Sequence, residues 1–131
     1  MHVAHKHRLH HRDPWKLEHV WIPARTLVVS LVTLIPAYLV LWSLVLPMSL
    51  GLTGLCTFLT FGLVYEWTHY LIHTGYTPKT DWYRKLWRNH RLHHFKNEEY
   101  WYGVSRTGGD ELLGTNPDPN EVDKSETCRT L

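Results

Sequence analysis

The sequence predicts an all-α integral membrane protein, a transmembrane helical hairpin with histidine-box helices on its cytosolic side. Three observations lead there. The chain from Thr26 to Tyr65 contains no charged residue. Pro47, Met48, Ser49 and Gly51 break that stretch into two apolar segments. Three groups of histidines flank it at helical spacing: His7-x-x-His10-His11, His69-x-x-x-His73 and His90-x-x-His93-His94. Spacings of i, i+3 and i+4 place imidazoles on one face of a helix, where they can converge on a metal.

Length and charge narrow the class. The uncharged stretch takes up nearly a third of the 131 residues, which leaves too little sequence for an ordinary soluble core. A compact water-soluble enzyme is therefore not expected. The net charge of +2 conceals an uneven distribution. Arg8, Arg12, Lys16 and Arg25 precede the apolar run, and Lys79, Arg84, Lys85, Arg88, Arg91 and Lys96 follow it. Such a basic excess can mark nucleic-acid binding. Beside membrane segments it reads instead as two cytosolic flanks, and no nucleic-acid partner is expected. Cys56 and Cys128 have no spacing partner for a metal or disulfide framework, in keeping with a reducing compartment. No signal peptide is expected, because the first apolar run starts only at Thr26 and exceeds a signal core in length.

The elements follow in order. Residues 1–25 form a polar, basic segment in which Pro14 and Pro23 prevent one continuous helix, leaving room for a short helix bearing the first histidine box. Residues 26–66 hold two transmembrane helices. The first, Thr26 to about Leu46, is long enough to cross ~30 Å of hydrocarbon, with Pro36 as a candidate kink. The second, from about Leu50 to Tyr65, continues through Glu66 into His69 and His73 and ends at Gly75, Thr77 and Pro78. Two crossings return the chain to the side it left, so the first box comes within reach of the other two. From Asp81 to His94, Trp82, Tyr83 and Trp87 alternate with Arg and Lys, as in a helix at headgroup level, and its end carries the third box. The acidic, Pro/Asp/Asn-rich segment 116–131 is expected to be disordered.

Imidazole binds zinc, copper, iron and nickel, so ligand type alone does not choose the metal. Eight candidate nitrogens exceed the needs of one tetrahedral ion and argue for two metal ions. Beside lipid, such a centre suits chemistry on an acyl chain. Attack on an unactivated C–H bond requires O2 and a redox metal, which favours iron with an external electron donor; zinc lacks that chemistry, although it can replace iron on isolation. For Glu66 three roles stand open: a further ligand, a partner that orients a histidine, or a solvated helix residue. His2, His5 and His19 read as solvated. Trp82, Trp87, Tyr100, Trp101 and Tyr102 read as interfacial anchors. Asp110 is expected to cap or pair locally.

HRLHHRDPW (His7 to Trp15), EWTHYLIHTG (Glu66 to Gly75), NHRLHHFKNEEYWYGVS (Asn89 to Ser105) and GDELLGT (Gly109 to Thr115) together resemble the fatty acid hydroxylase and sterol desaturase superfamily. The likeness is strongest to its fatty acid 2-hydroxylase branch and runs from His7 to about Pro119. It implies a multi-pass, O2-dependent, di-iron monooxygenase acting on a lipid substrate in lipid biosynthesis. By the same resemblance, electrons come from a cytochrome b5-type or ferredoxin-type donor, and the histidines and both termini face the cytosol. Residues 67–115 would be the cytosolic metal-binding part of the hydroxylase domain. Carried over by position, the metal ligands would be His7, His10, His11, His69, His73, His90, His93 and His94. The family's further upstream histidine box has no counterpart here, since His2 and His5 do not reproduce its spacing. Sterol desaturation or carotenoid hydroxylation on the same scaffold, or metal binding without catalysis in a truncated chain, are the alternative readings.

Overall fold

The computed structural model describes residues 2–128, with side chains described from Ala4 onward. His2, expected to be solvated, has its side chain outside that range, as do residues 129–131 at the end of the tail. Among the described residues the secondary structure is entirely helical: α1 (His2–Arg12), α2 (Ala24–Ser43), α3 (Met48–Ile72), α4 (Asp81–Phe95) and α5 (Gly108–Leu113), with single 3-10 turns at Leu17–His19 and Pro119–Glu121.

The two long helices make the hairpin. At 1.5 Å per residue, the 20 residues of α2 span about 30 Å, the thickness of a bilayer's hydrocarbon core. The 25 residues of α3 exceed that length, and its last turns carry polar residues. None of the α2 side chains is buried, and Val32, Leu34, Leu41, Phe58, Phe61 and Leu63 stand exposed around the pair. So many bare large apolar side chains require a hydrocarbon solvent. The chain is thus an all-α membrane protein. Pro36 lies within α2 and does not end it.

The hairpin closes over a short connection, residues 44–47. Trp42 lies over Gly51, and its indole N–H donates to the Pro47 carbonyl at 3.3 Å. The Tyr38 hydroxyl donates to the Gly51 carbonyl at 3.2 Å. Small residues here let the two backbones approach, the usual device where lipid offers no hydrophobic drive for helix association. A Cβ at position 51 would meet Trp42 at 2.6 Å.

At the C-terminal end of α3, a small core joins it to α4. Ile72, Tyr83, Leu86 and Val104 are buried together, with Leu71 and Trp87 packed against them, and the Tyr83 hydroxyl donates to the Thr68 carbonyl at 3.2 Å. The start of α4 is set by Thr80, whose hydroxyl accepts from the Tyr83 amide at 3.3 Å. The N-terminal segment wraps the same region. Trp15 stacks on Phe95 with ring centroids 5.8 Å apart, Trp21 stacks on Tyr70 at 4.9 Å, and the Ile22 amide donates to Glu66 Oε2 at 3.3 Å.

Two expectations need correction. Residues 116–128 of the tail are not disordered but run back across the helical domain. Asn89 donates to Asn116 at 2.9 Å, the Ser125 amide donates to the Lys96 carbonyl at 2.8 Å, Lys96 reaches the Pro119 carbonyl, and Cys128 is buried. A polar composition signals disorder only when no partner satisfies the backbone, and here α4 and the loop after it supply those partners. Trp101 is no interfacial anchor: it is buried, with its indole N–H donating to the Pro117 carbonyl at 3.2 Å.

Replacing Gly51 by Leu forces Trp42 aside and lowers stability in detergent by about 1–3 kcal/mol, the usual range for overpacking. Gly62→Leu, where an added Cβ meets nothing within 4 Å, serves as the control and should leave the unfolding midpoint in place.

Candidate metal centre

Three helix ends deliver the histidines. Their boxes lie in α1, at the end of α3 and in the last two turns of α4, so the i, i+3, i+4 pattern turns each set of rings to one side. His73 sits just past α3 as its capping residue, its amide donating to the Tyr70 carbonyl at 3.1 Å. The hairpin brings these ends together.

His10, His69, His73, His90 and His94 form one buried group whose ligand nitrogens lie within 4.8 Å of one another. Three Nε2–Nε2 separations are close: His10 to His69 at 3.1 Å, His73 to His90 at 3.0 Å and His90 to His94 at 3.0 Å. The remaining three predicted residues form a second group beside it. His7 and His11 have Nε2 atoms 3.1 Å apart, and the His11 ring lies 4.8 Å from that of His93 and 4.4 Å from that of His94. His11 therefore touches both groups. His93 is buried and His7 exposed. His5, as expected, is exposed.

Burial keeps these rings neutral. Desolvation, reinforced by His73, His69 and the other neighbouring rings, pushes His10 down to about 2. Desolvation with His93 and His7 takes His11 to about 4, against an opposing Cys128 carbonyl. Desolvation, then His69 and Arg91, lowers His73 to about 3, against the Pro14 carbonyl. His90 and His94 fall well below the usual range for the same first reason, burial. His93 is lowered less, because the Tyr100 carbonyl works the other way.

Five neutral imidazoles packed nitrogen to nitrogen are not a self-sufficient hydrogen-bond network. Each ring brings one N–H and one lone pair. The Nδ1 atoms of His10, His69, His90 and His94 are buried with no partner among the described residues, and such unpaired groups are costly. A cation resolves the Nε2 contacts at once. Nitrogen ligands at ~2.1 Å from one ion lie within about 4.2 Å of each other, close to the span found here. The donor set therefore fits a divalent transition metal, and imidazole alone does not choose which.

The loop after α4 orients His93. Its Nδ1 donates to the Tyr100 carbonyl at 2.9 Å, which turns the ring's other nitrogen away. Asp110, expected to cap or pair locally, holds this loop. The buried Asp110 carboxylate accepts from the Tyr102 amide at 3.1 Å, the Gly103 amide at 2.7 Å and the Thr115 hydroxyl at 2.7 Å. Trp101, between Tyr100 and Tyr102, adopts φ 57°, a left-handed conformation costly for a bulky residue and held by the hydrogen bond its amide N–H donates to the Thr115 carbonyl at 2.8 Å. No spacing signal exposes Asp110, because its partners are mostly backbone amides. Glu66 lies outside the five-histidine group and is half-buried: one carboxylate oxygen accepts from Ile22, tying the N-terminal segment to α3.

A family model described as fatty acid hydroxylase matches residues 1–115. The chain belongs to the fatty acid hydroxylase family. The chain is 31% identical over 113 residues to the dihydroceramide fatty acyl 2-hydroxylase FAH2 of Arabidopsis thaliana, covering 85% of this chain and 45% of that protein. It thus spans under half the length of the curated relative it matches. That relative falls in the 2-hydroxylase branch that the histidine boxes resemble. No solved structure gives a significant match to this chain.

Two outcomes follow. The histidines are neutral when folded and carry folded pKa values below the unfolded 6.5, so the unfolded chain binds more protons on acidification. Stability of the metal-free chain is complete above pH ~6.5 and declines as pH falls from there towards ~4; a thermal melt by circular dichroism across pH 8 to 4 should show a flat then falling midpoint. Asp110→Asn introduces an NH2 group facing amide donors and should cost about 1–3 kcal/mol, read in the same melt, with a matching loss of metal retention through His93.

Proposed function

We propose that this chain is the metal-binding part of an O2-dependent, di-iron lipid hydroxylase acting on fatty acyl chains. The observation that carries the reading is the convergence of His10, His69, His73, His90 and His94 from three separate helix ends. His7, His11 and His93 lie directly beside them and supply ligands for a second ion, so all eight predicted histidines serve the centre. The name of the plant relative supports an acyl chain as the group attacked.

Iron, when bound, supplies the redox chemistry that activates O2, and zinc occupying the same nitrogens would not. The chain's own residues do the rest. Burial keeps the imidazoles deprotonated at neutral pH and ready to ligate. The Tyr100 carbonyl fixes which nitrogen of His93 faces the centre. The hairpin sets these groups at the edge of the hydrocarbon, where an acyl chain arrives without crossing water. Electrons come from an external protein of the cytochrome b5 or ferredoxin type, docking on the basic cytosolic side. The basic residues flanking both apolar helices support a cytosolic position for the boxes and for both termini.

His94→Ala and His93→Ala test the centre. Each should remove at least half of the bound metal, measured by elemental analysis of the purified chain. Hydroxylated acyl product in lipid profiles of expressing cells should fall by ~10²-fold or more. His5→Ala, at an exposed position outside both groups, should change neither. Retention of metal and product in His94→Ala would overturn the assignment.

A further inference from the structure

The groove beside the metal centre has chemistry the hydroxylase reading does not use. It measures 880 Å³ and is lined by Trp15, His73, Tyr76, Arg84, Trp87 and Arg91 among others, with no acidic residue in its wall. Arg84 is engaged by Asp81. Arg91 has no carboxylate at ion-pairing distance among the described residues; its guanidinium instead lies 4.5 Å from the Trp87 ring centroid, 4.8 Å from that of Trp15 and 5.6 Å from that of Phe95.

Aromatic faces hold a guanidinium by its plane and leave its N–H edge unspent. That edge is the part that recognises an oxyanion, in a two-pronged hydrogen bond stronger than a neutral one. The depth of the groove is set by the fold. It starts at His73, the residue after the last one of α3, and continues through Thr74 to Pro78, where the chain leaves the hydrocarbon. A lipid's charged headgroup lies at that level.

We propose that this groove binds the anionic headgroup of a membrane lipid, with Arg91 gripping its oxyanion and Trp15 and Trp87 holding the guanidinium in place. The inference deepens the lipid-hydroxylase reading by naming a headgroup class, and it rests on that reading only for the source of the ligand. Binding needs neither metal nor turnover, so a chain that binds but does not hydroxylate would sink the earlier reading alone, and one that hydroxylates without this selectivity would sink this one alone.

Native mass spectrometry of the full chain in detergent, offered dioleoyl phosphatidate or dioleoyl phosphatidylcholine, tests it. Phosphatidate adducts should exceed phosphatidylcholine adducts about tenfold, equivalent to ~1.4 kcal/mol. Arg91→Gln should erase that preference. Arg88→Gln, which removes an exposed charge from the same helix outside this groove, should change it less than twofold. Equal adducts on the unaltered chain would overturn the proposal, as would equal losses in the two variants. Displacement of phosphatidate by millimolar inorganic phosphate would also overturn it, reassigning the groove to a free anion. Should Arg91→Gln fail to fold, the lipid preference and the phosphate competition on the unaltered chain still decide.

Discussion

The structure depends on one constraint: imidazoles from distant parts of the chain are packed, uncharged, into a space that leaves the Nδ1 atoms of His10, His69, His90 and His94 without a partner among the described residues. Burial alone would make such a cluster a liability, since each unpaired nitrogen costs free energy and each proton taken up is repelled by its neighbours. The fold tolerates it because helices rigid enough to hold the rings converge at one point. Tyr83, Leu86 and Ile72 pack α4 against the end of α3, and Glu66 and Trp21 bind the N-terminal segment to the same place.

The hairpin and the centre are therefore one device. The helices α2 and α3 fold back on each other, closed tightly at Trp42 and Gly51, and so carry the chain back to where His10 meets His94. Membrane helices suit the task, since their backbone hydrogen bonds are satisfied internally and their ends can be spent on polar chemistry. Beyond the helices, loops do the fine positioning. Asp110 holds the turn through Trp101, that turn presents the Tyr100 carbonyl, and the carbonyl sets the His93 ring. A metal centre's precision commonly resides in such outer partners.

Arg91 connects the centre to its surroundings. It stacks on Trp15, which follows the first histidine box, and on Trp87 of α4, so the two arms that carry His10 and His90 also form a cationic groove. Its charge contributes to keeping His73 deprotonated. One side chain thereby bears on the state of the centre and on what approaches it.

Periodicity and charge determined much of this by themselves. An uncharged stretch long enough to cross hydrocarbon twice, a Pro/Gly break, and histidines at one-turn spacing need no tertiary information, because helical geometry and the dielectric of lipid act locally. The eight histidines could be named for that reason. What only the tertiary structure decided depends on contacts between segments far apart in sequence: the division of those histidines into a group of five and a group of three, the bond between Glu66 and Ile22, the burial of Trp101, and the packing of residues 116–128 against α4. Composition read that tail as disordered because its polar groups lack partners locally. The fold supplies them from Asn89 and Lys96, and no rule of spacing along one strand of sequence contains that information.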